Sequence, residues 1–445
     1  MRVKVSVILP SLNVADYIRE CIDSVLQQSL QELEIICIDA GSTDGTREIL
    51  EEYANKDSRI TILHSDMKSY GRQVNMGLKY ASGDYIAILE TDDWIAPDMY
   101  RCLYELAVKE HLDYAAADFD MFYQLQSGAY YFIRHHLFSP DVQDWYGKIL
   151  GTEQLATLRS IDYVLWRGIY NREFLNTYHI RLYESPKAAF QDMGFLQQVK
   201  TYATRAIYLD QSFYRYRQDR EEASSRGLDG LQYYQEEFRW LNEDLKLVRL
   251  LEGAHKKYYY FTMSISFLTK YEQILTKLNG DWQDSRLRVP YQWFQKQILD
   301  AINAGFLEES MYDKKMWEEL TLLLETPASY AKSVLDKIQE EKYHAKELMN
   351  LINGRDAVIF GCGVRGERLM LFCDRHKIRI QAFCDNNTTL HGQKKYGFLV
   401  ISPADLKGEM ILLSMKNGWE QVYNQLLGMG ISPDKVIEKI PEGIL

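Results

Sequence analysis

The sequence predicts an α/β protein made of three consecutive parts. Over about the first 120 residues, short β-branched apolar runs alternate with segments of helical apolar spacing. From 226 to 350 the apolar residues follow heptad-like spacing with charges between them, which is typical of packed helices. Strand-like and helix-like segments then alternate again. We therefore expect an α/β domain over 1–225, a helical connector over 226–350 and a smaller α/β domain over 351–445.

The composition indicates a globular protein that does not bind nucleic acid. Hydrophobic residues make up 46% of the chain and charged residues 26%, which excludes disordered and collagen-like classes. The balance of 52 basic against 63 acidic residues, with no long basic run, argues against a nucleic-acid partner. The six cysteines lack metal-binding or CxxC spacing, and we interpret them as reduced thiols of a cytoplasmic protein.

No segment of the sequence is typical of a signal peptide or a membrane helix. The first residues, MRVKVSVILPSLN, lack a long apolar run and a small-residue cleavage site, and they predict a strand instead. A membrane helix needs about 20 mostly apolar residues, and the nearest candidate, Tyr258 to Leu268, is too short. We expect a cytoplasmic location, and peripheral membrane contact stays open.

The elements of the first domain follow in order. The predicted strands are Val3 to Leu9, Leu33 to Ile38, Ile60 to Leu63, Tyr85 to Leu89 and Tyr114 to Ala117. Helices are predicted over 15–28, 44–55, 71–81 and 97–110. Such strands favour a parallel sheet with helices on both faces, and ligands bind beyond the carboxyl ends of its strands.

The segment YIAILETDDW ends an apolar strand on adjacent carboxylates. Buried negative charge is costly unless a partner neutralises it, and a hard divalent cation with oxygen ligands is a natural partner. Such a cation can bridge the two phosphates of a nucleoside diphosphate. In the alternative interpretation, Asp92 and Asp93 only cap the following helix.

A second strand, in IICIDAGSTDGT, runs into Asp39 and a turn of small residues. The Asp39 carboxylate could accept a hydrogen bond from the N–H of a uracil-like base, and the turn amides could cradle the nucleotide. The alternative is an ordinary strand-to-helix turn, with Ser42 or Asp44 as the N-cap.

Together with VSVILPSLN and NMGLKYASGDYIAILETDDWI, these motifs resemble the family 2 glycosyltransferases in order and spacing. That family has the GT-A fold, a nucleotide-sugar-binding sheet with helices on both faces. The resemblance covers residues 3 to 225, and the family's usual asparagine and glycine before the carboxylate strand stand here as Asn75 and Gly77.

The resemblance implies roles for individual residues. It places Pro10, Leu12, Asn13 and Asn75 in the nucleotide-sugar site, Asp39 at the base, Arg72 near the phosphates or base, Asp92 at the ribose or sugar, and Asp93 on Mn²⁺ or Mg²⁺. For Arg72, a solvated surface position is an equal alternative.

The sequence departs from the family pattern at three positions. Ala40 and Glu90 stand where the family usually has aspartate, and Leu12 stands where tyrosine is common. These differences put the identity of the base and the ribose contact in doubt.

The resemblance also points to a catalytic base. Glycosyl transfer requires a group that takes the proton of the acceptor hydroxyl. Related enzymes carry an acidic motif in the second half of the domain, and FQDMGF supplies Asp192 there. Direct displacement with Asp192 as base would invert the anomeric centre; alternatively, Asp192 only caps the helix that starts near Met193.

The C-terminal part contains a second nucleotide-type motif. GCGVRG follows a predicted strand and precedes a helix predicted over 364–375, which matches G-x-G-x-x-G with Gly361, Gly363 and Gly366. Asp385 follows about 20 residues later, at the distance from which such domains read a ribose. This predicts a Rossmann-like domain that binds NAD or another nucleotide, or one that serves only docking and assembly.

The sequence therefore predicts a metal-dependent inverting glycosyltransferase of polysaccharide biosynthesis or protein glycosylation. The donor is a nucleoside diphosphate sugar, with a UDP-sugar favoured by Asp39, and the acceptor is a hydroxyl of a glycan, glycolipid or glycoprotein. We also expect a homo-oligomer. The rivals are an NAD-dependent sugar-nucleotide oxidoreductase or epimerase using the C-terminal domain, and a degenerate assembly protein, which Ala40 and Glu90 favour.

Overall fold

The computed structural model describes residues 2–125, 128, 130–186, 190–218, 227–438 and 440. The chain forms two compact units: Met1–Met121 with Ile133–Ala331, and Phe122–Phe132 with Lys332–Leu445. The first unit therefore includes most of the predicted connector, and the predicted boundary near 225 falls outside the described residues. The three-part division stays a prediction.

A large mixed sheet dominates the first part of the chain. Its strands are β1 (Val5–Ser11), β2 (Leu33–Asp39), β3 (Ile60–His64), β4 (Tyr85–Ile88), β5 (Trp94–Ile95), β6 (Tyr114–Gln124), β7 (Tyr130–His135), β8 (Gly168–Asn171) and β9 (Ala206–Arg217). They lie in the order β3-β2-β1-β4-β8-β6-β9-β5, with β7 beside β6.

The sheet is parallel only in its first half, so the expectation of an all-parallel sheet is wrong. Strands β3, β2, β1 and β4 pair in parallel, and every residue of β1 and β4 is buried, as their continuous apolar runs require. Strand β8 then pairs antiparallel with both β4 and β6. Strand β6 was predicted correctly. Because β8 lies between β4 and β6, these two strands do not pair with each other.

The helices of the first unit include the four that the sequence predicted, each with ends within a few residues of the prediction. They are α1 (Ile18–Leu26), α2 (Thr46–Ala54), α3 (Tyr70–Tyr80), α4 (Met99–Lys109), α5 (Thr152–Thr157), α6 (Arg172–Thr177), α7 (Gln191–Tyr202), α8 (Gly230–Arg239), α9 (Leu247–Leu250), α10 (Gly253–Lys277), α11 (Ser285–Asn303) and α12 (Lys314–Glu325). Helix α13 (Pro327–Ile352) follows. Helix α1 shows why they form: Ile18, Cys21, Ile22 and Val25 make one buried stripe.

The second unit contains a small sheet. Its strands are β10 (Ala357–Phe360), β11 (Ile380–Cys384), β12 (Lys394–Lys395), β13 (Phe398–Ile401), β14 (Met410–Leu413) and β15 (Val436–Ile437), with helices α14 (Val364–Arg375) and α15 (Trp419–Gly428). The order is β12-β13-β11-β10-β14-β15, and all pairs except β12 with β13 are parallel. This is the order of a doubly wound sheet. The predicted α/β fold class is confirmed.

In the part of the chain that the structure describes, no helix combines the length and the apolar character needed to cross a bilayer.

Candidate functional site

The loops that follow β1 and β2 are joined by side-chain hydrogen bonds. The backbone N–H of Asn13 donates to Oγ of Ser42 (3.0 Å), and the N–H of Thr43 donates to Oδ1 of Asn13 (2.9 Å). Asn13 has a φ of 52°, in the left-handed region that asparagine tolerates better than most residues. The two loops thus form one surface at the carboxyl ends of β1 and β2, where open α/β sheets bind ligands.

The end of β1 is also tied to the carboxylate segment after β4. The hydroxyl of Thr91 donates to the carbonyl of Pro10 (2.9 Å). Pro10 is buried, whereas Leu12 is half-buried and Asn13 is exposed. Of these three predicted residues of the nucleotide-sugar site, Leu12 and Asn13 therefore reach the surface. Pro10 contacts the carboxylate segment and Asn13 contacts the loop after β2.

Asp39 ends β2 and shapes the turn that follows it. Its carboxylate is only 2% exposed and accepts the backbone N–H groups of Gly41 and Ser42, both at 3.1 Å. Gly41 adopts a φ of 82°, which the turn requires. The N-cap of α2 is Gly45 and not Ser42 or Asp44, but the Asp44 carboxylate accepts the N–H of Thr46 in the first turn (3.0 Å). An ordinary strand-to-helix turn therefore stays an alternative. Base reading by Asp39 stays a prediction.

Asp93 is held by the end of β9, about 120 residues further along the chain. The Tyr214 hydroxyl donates to Oδ2 of Asp93 and the backbone N–H of Arg217 donates to Oδ1, both at 2.7 Å. Nε of Arg217 also donates to the backbone carbonyl of Asp92 (2.9 Å). Strand β9 therefore holds the Asp93 carboxylate and the backbone of Asp92 in place.

The two aspartates do not cap the following helix. Strand β5 lies between them and α4, whose N-cap is Asp98. Asp93 is 1% exposed, and burial followed by the charge of Asp92 raises its pKa well above the ordinary range. A cation would relieve this cost, and carboxylate oxygens such as those of Asp93 and Asp92 are ligands that Mg²⁺ and Mn²⁺ accept. The residues present therefore fit the divalent metal that the fold implies.

Glu90 is part of the same group of carboxylates. The Tyr70 hydroxyl donates to Oε1 of Glu90 (2.5 Å), and the Glu90 backbone N–H donates to the Tyr214 hydroxyl (3.2 Å). Tyr214 thus links the backbone at Glu90 to the carboxylate of Asp93. The glutamate that departs from the family pattern is held in place by its own tyrosine, Tyr70.

Asp192 lies in the first turn of α7. The N-cap of this helix is Phe190, with a φ of 65°, so Asp192 is not the cap and that alternative is wrong. Oδ1 of Asp192 accepts the N–H of Met193 (2.8 Å). Burial raises the pKa of the Asp192 carboxyl to about 6, which suits a group that must take a proton near neutral pH.

The structure brings Asp192 together with the carboxylate segment. Burial raises the pKa of the Tyr216 hydroxyl, and the charges of Asp93, Asp192, Glu90 and Asp92 raise it further. The charges of all four carboxylates therefore affect the same hydroxyl group. In the sequence, Asp192 is about 100 residues away from the other three, and this convergence is a product of the fold.

Arg72 and Asn75 are engaged with other protein groups. The Asn75 amide donates to the carbonyl of Leu182 and to Glu184 (both 2.9 Å) and accepts the N–H of Leu182 (3.0 Å). Arg72 pairs with Asp66 (3.1 Å) and Glu184 (3.5 Å). Asn75 therefore positions the segment that leads toward α7, and donor binding by either residue stays a prediction.

Sequence reasoning missed three residues of the site: Tyr70, Tyr214 and Arg217. The signal for Tyr214 was present, because FYRYR in β9 alternates and places Tyr214 and Tyr216 on one face. Both rings pack on Trp166, with centroid distances of 4.0 and 5.0 Å.

A second group of ligand-type side chains lies elsewhere in the first unit. Among the described residues, Asp118, His136 and Asp210 are close enough to share a cation. Asp118 already accepts the Tyr146 hydroxyl (2.8 Å), and Asp210 pairs with Arg134 (2.7 Å). These carboxylates have protein partners, as Asp93 does, so this group is a second candidate cation site in the first unit.

The C-terminal glycine motif has the predicted local structure. Gly361 has a φ of 106°, and a Cβ on Gly366 would lie 2.0 Å from the carbonyl oxygen of Gly361. Gly363 is the N-cap of α14. The Asp385 carboxylate accepts the backbone N–H of Cys362 (2.9 Å), so it stabilises the loop directly. Nucleotide binding by this loop stays a prediction.

The fold and site define a class of protein: an α/β domain with a group of carboxylates at the end of β4. Residues 6–168 match the sequence model of the family described as Glycosyl transferase family 2. The match confirms the predicted family 2 glycosyltransferase domain in this part of the chain.

Individual relatives agree with this assignment. The chain is 32% identical over 217 residues to the uncharacterized glycosyltransferase EpsJ of Bacillus subtilis, covering 48% of this chain and 61% of that protein. It is 28% identical over 221 residues to the glycosyltransferase GlyA of Streptococcus pneumoniae, covering 48% of this chain and 30% of that protein. The chain thus spans less than two thirds of the length of either relative.

Among solved structures, the fold is similar to that of S. aureus TarS 1-349 in complex with UDP-GlcNAc. The TM-score is 0.51 at 19% sequence identity, and the superposition covers 76% of this chain and 92% of TarS 1-349. The likeness supports the GT-A type of fold.

Proposed function

We propose that this protein is a metal-dependent inverting glycosyltransferase. It transfers a sugar from a nucleoside diphosphate sugar, with UDP favoured as the nucleotide, to a hydroxyl group of a glycan, glycolipid or glycoprotein. The observation that supports the proposal is the convergence of Asp92, Asp93 and Asp192 around Tyr216, at the end of the sheet where the loops after β1 and β2 also meet.

In the proposed reaction, Asp192 is the catalytic base. With a pKa of about 6 it is mostly ionised at pH 7 and can accept a proton. The acceptor oxygen attacks the anomeric carbon and passes its proton to Asp192, while the bond from that carbon to the diphosphate oxygen breaks and its electron pair leaves with the diphosphate. One displacement of this kind inverts the anomeric centre.

The other residues bind the donor. Asp93, with Asp92 beside it, would hold Mn²⁺ or Mg²⁺, which when bound supplies positive charge to the diphosphate. Tyr214 and Arg217 keep the Asp93 carboxylate oriented. Asp39, Pro10 and the remaining predicted donor-binding residues would surround the nucleoside.

The names of the relatives also bear on the cellular role. The relatives include the chondroitin synthase and the hyaluronan synthase of Pasteurella multocida, which are each 34% identical to this chain over 108 residues. This supports polysaccharide biosynthesis as part of the proposal. A cytoplasmic location, peripheral membrane contact and a homo-oligomeric state are further parts of the proposal.

Ligand-induced thermal stabilisation tests the proposal. UDP, GDP, CDP and NAD are each added with and without Mn²⁺ to the wild-type protein, to Asp93→Asn and to Asp300→Asn. Asp300 is an exposed aspartate on α11 in the same compact unit and serves as the matched control. A ligand at about 100 times its Kd adds roughly 2.7 kcal/mol to the unit that binds it.

We expect one nucleoside diphosphate to stabilise the wild type and Asp300→Asn only with Mn²⁺, and to leave Asp93→Asn unchanged. That nucleotide then identifies the donor. Equal stabilisation of Asp93→Asn would contradict the metal assignment, and stabilisation by NAD alone would move the functional centre to the second unit.

A further inference from the structure

Helix α8 presents a glutamate to the helix that carries the predicted base. The buried residues Leu231, Tyr234, Glu237 and Phe238 form one stripe of α8. The Tyr234 ring packs edge-to-face on Phe190, the N-cap of α7, with centroids 5.1 Å apart. Helix α8 thus covers the first turn of α7, where Asp192 lies.

The Glu237 carboxyl is buried against the backbone of α7 and has no hydrogen-bond partner in the described structure. Its side chain is 0% exposed, and neither carboxyl oxygen forms a hydrogen bond there. A Cβ on Gly194 would lie 1.6 Å from Oε1 of Glu237, so only glycine leaves room for this carboxyl. Gly194 is two residues after Asp192.

Several titratable groups lie on the elements that pack against α8. Those that are buried or half-buried are Asp192, Lys200 and Tyr202 on α7, His255, Lys256, Lys257, Tyr258, Tyr259, Tyr260, Lys270, Tyr271 and Glu272 on α10, and Arg286 and Tyr291 on α11. Lys270 lies against Gly230 at the other end of α8, and Lys200 pairs with Asp162. The charge that acts on Glu237 is that of Asp192.

We propose that Glu237 is a positioning residue for Asp192: an uncharged carboxylic acid that seats α8 on Gly194 and leaves the single negative charge of the carboxyl pair on Asp192. The proposal rests on the proposed function only where it assigns Asp192 as the base. The burial of Glu237 against Gly194, two residues from Asp192, does not depend on that assignment.

The environments of the two groups decide which of them is ionised. Asp192 is half-buried and accepts the N–H of Met193, which stabilises its charged form. Glu237 is fully buried with no such donor, so burial and the nearby Asp192 both raise its pKa. In the proposed pairing, Glu237 is the member that keeps its proton to higher pH.

This arrangement predicts a decrease in activity at alkaline pH. When Glu237 loses its proton, a second negative charge appears beside Asp192 in a dry interface. That charge repels Asp192 and loosens the contact of α8 with Gly194, and both effects displace the base. The decrease in activity at acidic pH is caused by protonation of Asp192, and it should not depend on Glu237.

Infrared difference spectroscopy on the full-length protein tests the pairing without using catalysis. We expect the wild-type spectrum minus the Glu237→Gln spectrum to contain the carbonyl stretch of a protonated carboxylic acid at neutral pH. Asp93, whose pKa is also raised by burial, is present in both proteins and cancels in this difference. In Asp192→Asn the band should disappear at a lower pH than in the wild type, because the neighbouring charge is gone. A band that is absent at neutral pH, or that titrates identically in Asp192→Asn, would overturn the pairing.

Sugar-transfer rates as a function of pH test the positioning role. We expect Glu237→Gln to keep the rate at neutral pH and to lose the alkaline decrease, and Glu237→Ala to lower kcat about tenfold or more at every pH. An unchanged alkaline decrease in Glu237→Gln would contradict the role. If no variant, including the wild type, transfers sugar, the proposed function fails while the infrared result still decides whether the pair exists.

Discussion

At the scale of single residues, the environment assigns different roles to similar side chains. Asp93 is buried with both carboxylate oxygens bonded to β9, whereas Asp192 is half-buried and accepts an N–H of its own helix turn. The first arrangement suits a fixed ligand and the second suits a group that exchanges protons. The residue type alone does not separate these roles.

Replacing Asp192 by asparagine should lower kcat about 10²- to 10⁴-fold, because the acceptor hydroxyl loses its base. In the wild type, Asp192 is protonated below its pKa of about 6, so activity should fall as the pH drops below 6. Initial rates from pH 5 to 8, with separate measurement of donor affinity, check both effects. Asp300→Asn is the control, and a rate above half of wild type in Asp192→Asn would exclude this base.

Replacing Tyr214 by phenylalanine removes the hydroxyl that donates to Asp93 and keeps the ring on Trp166. We expect the affinity for Mn²⁺ and the donor to fall about tenfold, as is typical when a residue that orients a metal ligand is lost. Titration of the donor at several Mn²⁺ concentrations measures the change. Tyr291→Phe, a buried tyrosine whose hydroxyl bonds to backbone carbonyls, is the control. An equal loss in both variants would indicate general destabilisation.

At the scale of elements, strand β9 and helix α7 complete the site that the first βα units begin. Strand β9 supplies three contacts to the Asp92–Asp93 pair, and α7 carries Asp192. Helix α8 then packs on the first turn of α7. The position of the base therefore depends on how two helices fit together.

The contact between α7 and α8 can be tested with Gly194→Ala. The added methyl group would collide with Glu237, and we expect unfolding to become easier by about 1–3 kcal/mol. Denaturant unfolding measures the change. Adding Glu237→Ala should recover part of the loss, because the space is vacated, which gives a coupling energy in a double-mutant cycle.

The control for this cycle is Gly428→Ala in α15, where a Cβ would meet nothing within 4 Å. It should be neutral or slightly stabilising. If Gly194→Ala behaves like Gly428→Ala, the close approach of Glu237 to α7 is wrong.

At the scale of the whole molecule, the division into compact units does not follow the order of the sequence. The second unit contains Phe122–Phe132, which comes from the β6–β7 region of the large sheet, together with the chain from Lys332. Within this unit the Tyr131 hydroxyl donates to Glu367, and its ring packs on Tyr396 at a centroid distance of 5.9 Å.

Replacing Tyr131 by alanine should therefore destabilise the second unit by about 3–5 kcal/mol, the cost of truncating a buried aromatic side chain. Tyr131 is 2% exposed. The neighbouring Tyr130 is 51% exposed, so Tyr130→Ala should change stability by less than about 0.5 kcal/mol. Calorimetry resolves the effect if the units melt separately. A similar result for the two variants would argue against the placement of Tyr131 in the second unit.

The sequence by itself determined the α/β class, the first four strands and the helices between them, because apolar periodicity and turn residues are local signals. It also identified the Asp92–Asp93 pair and Asp192 as candidates, through motifs of a few residues. The antiparallel insertion of β8, the contacts of Tyr214 and Arg217 with Asp93, and the fit of Glu237 on Gly194 were decided only by the tertiary structure. These features join residues 43 to about 120 positions apart, and no local pattern encodes which distant partner will meet, because that depends on how whole strands and helices pack.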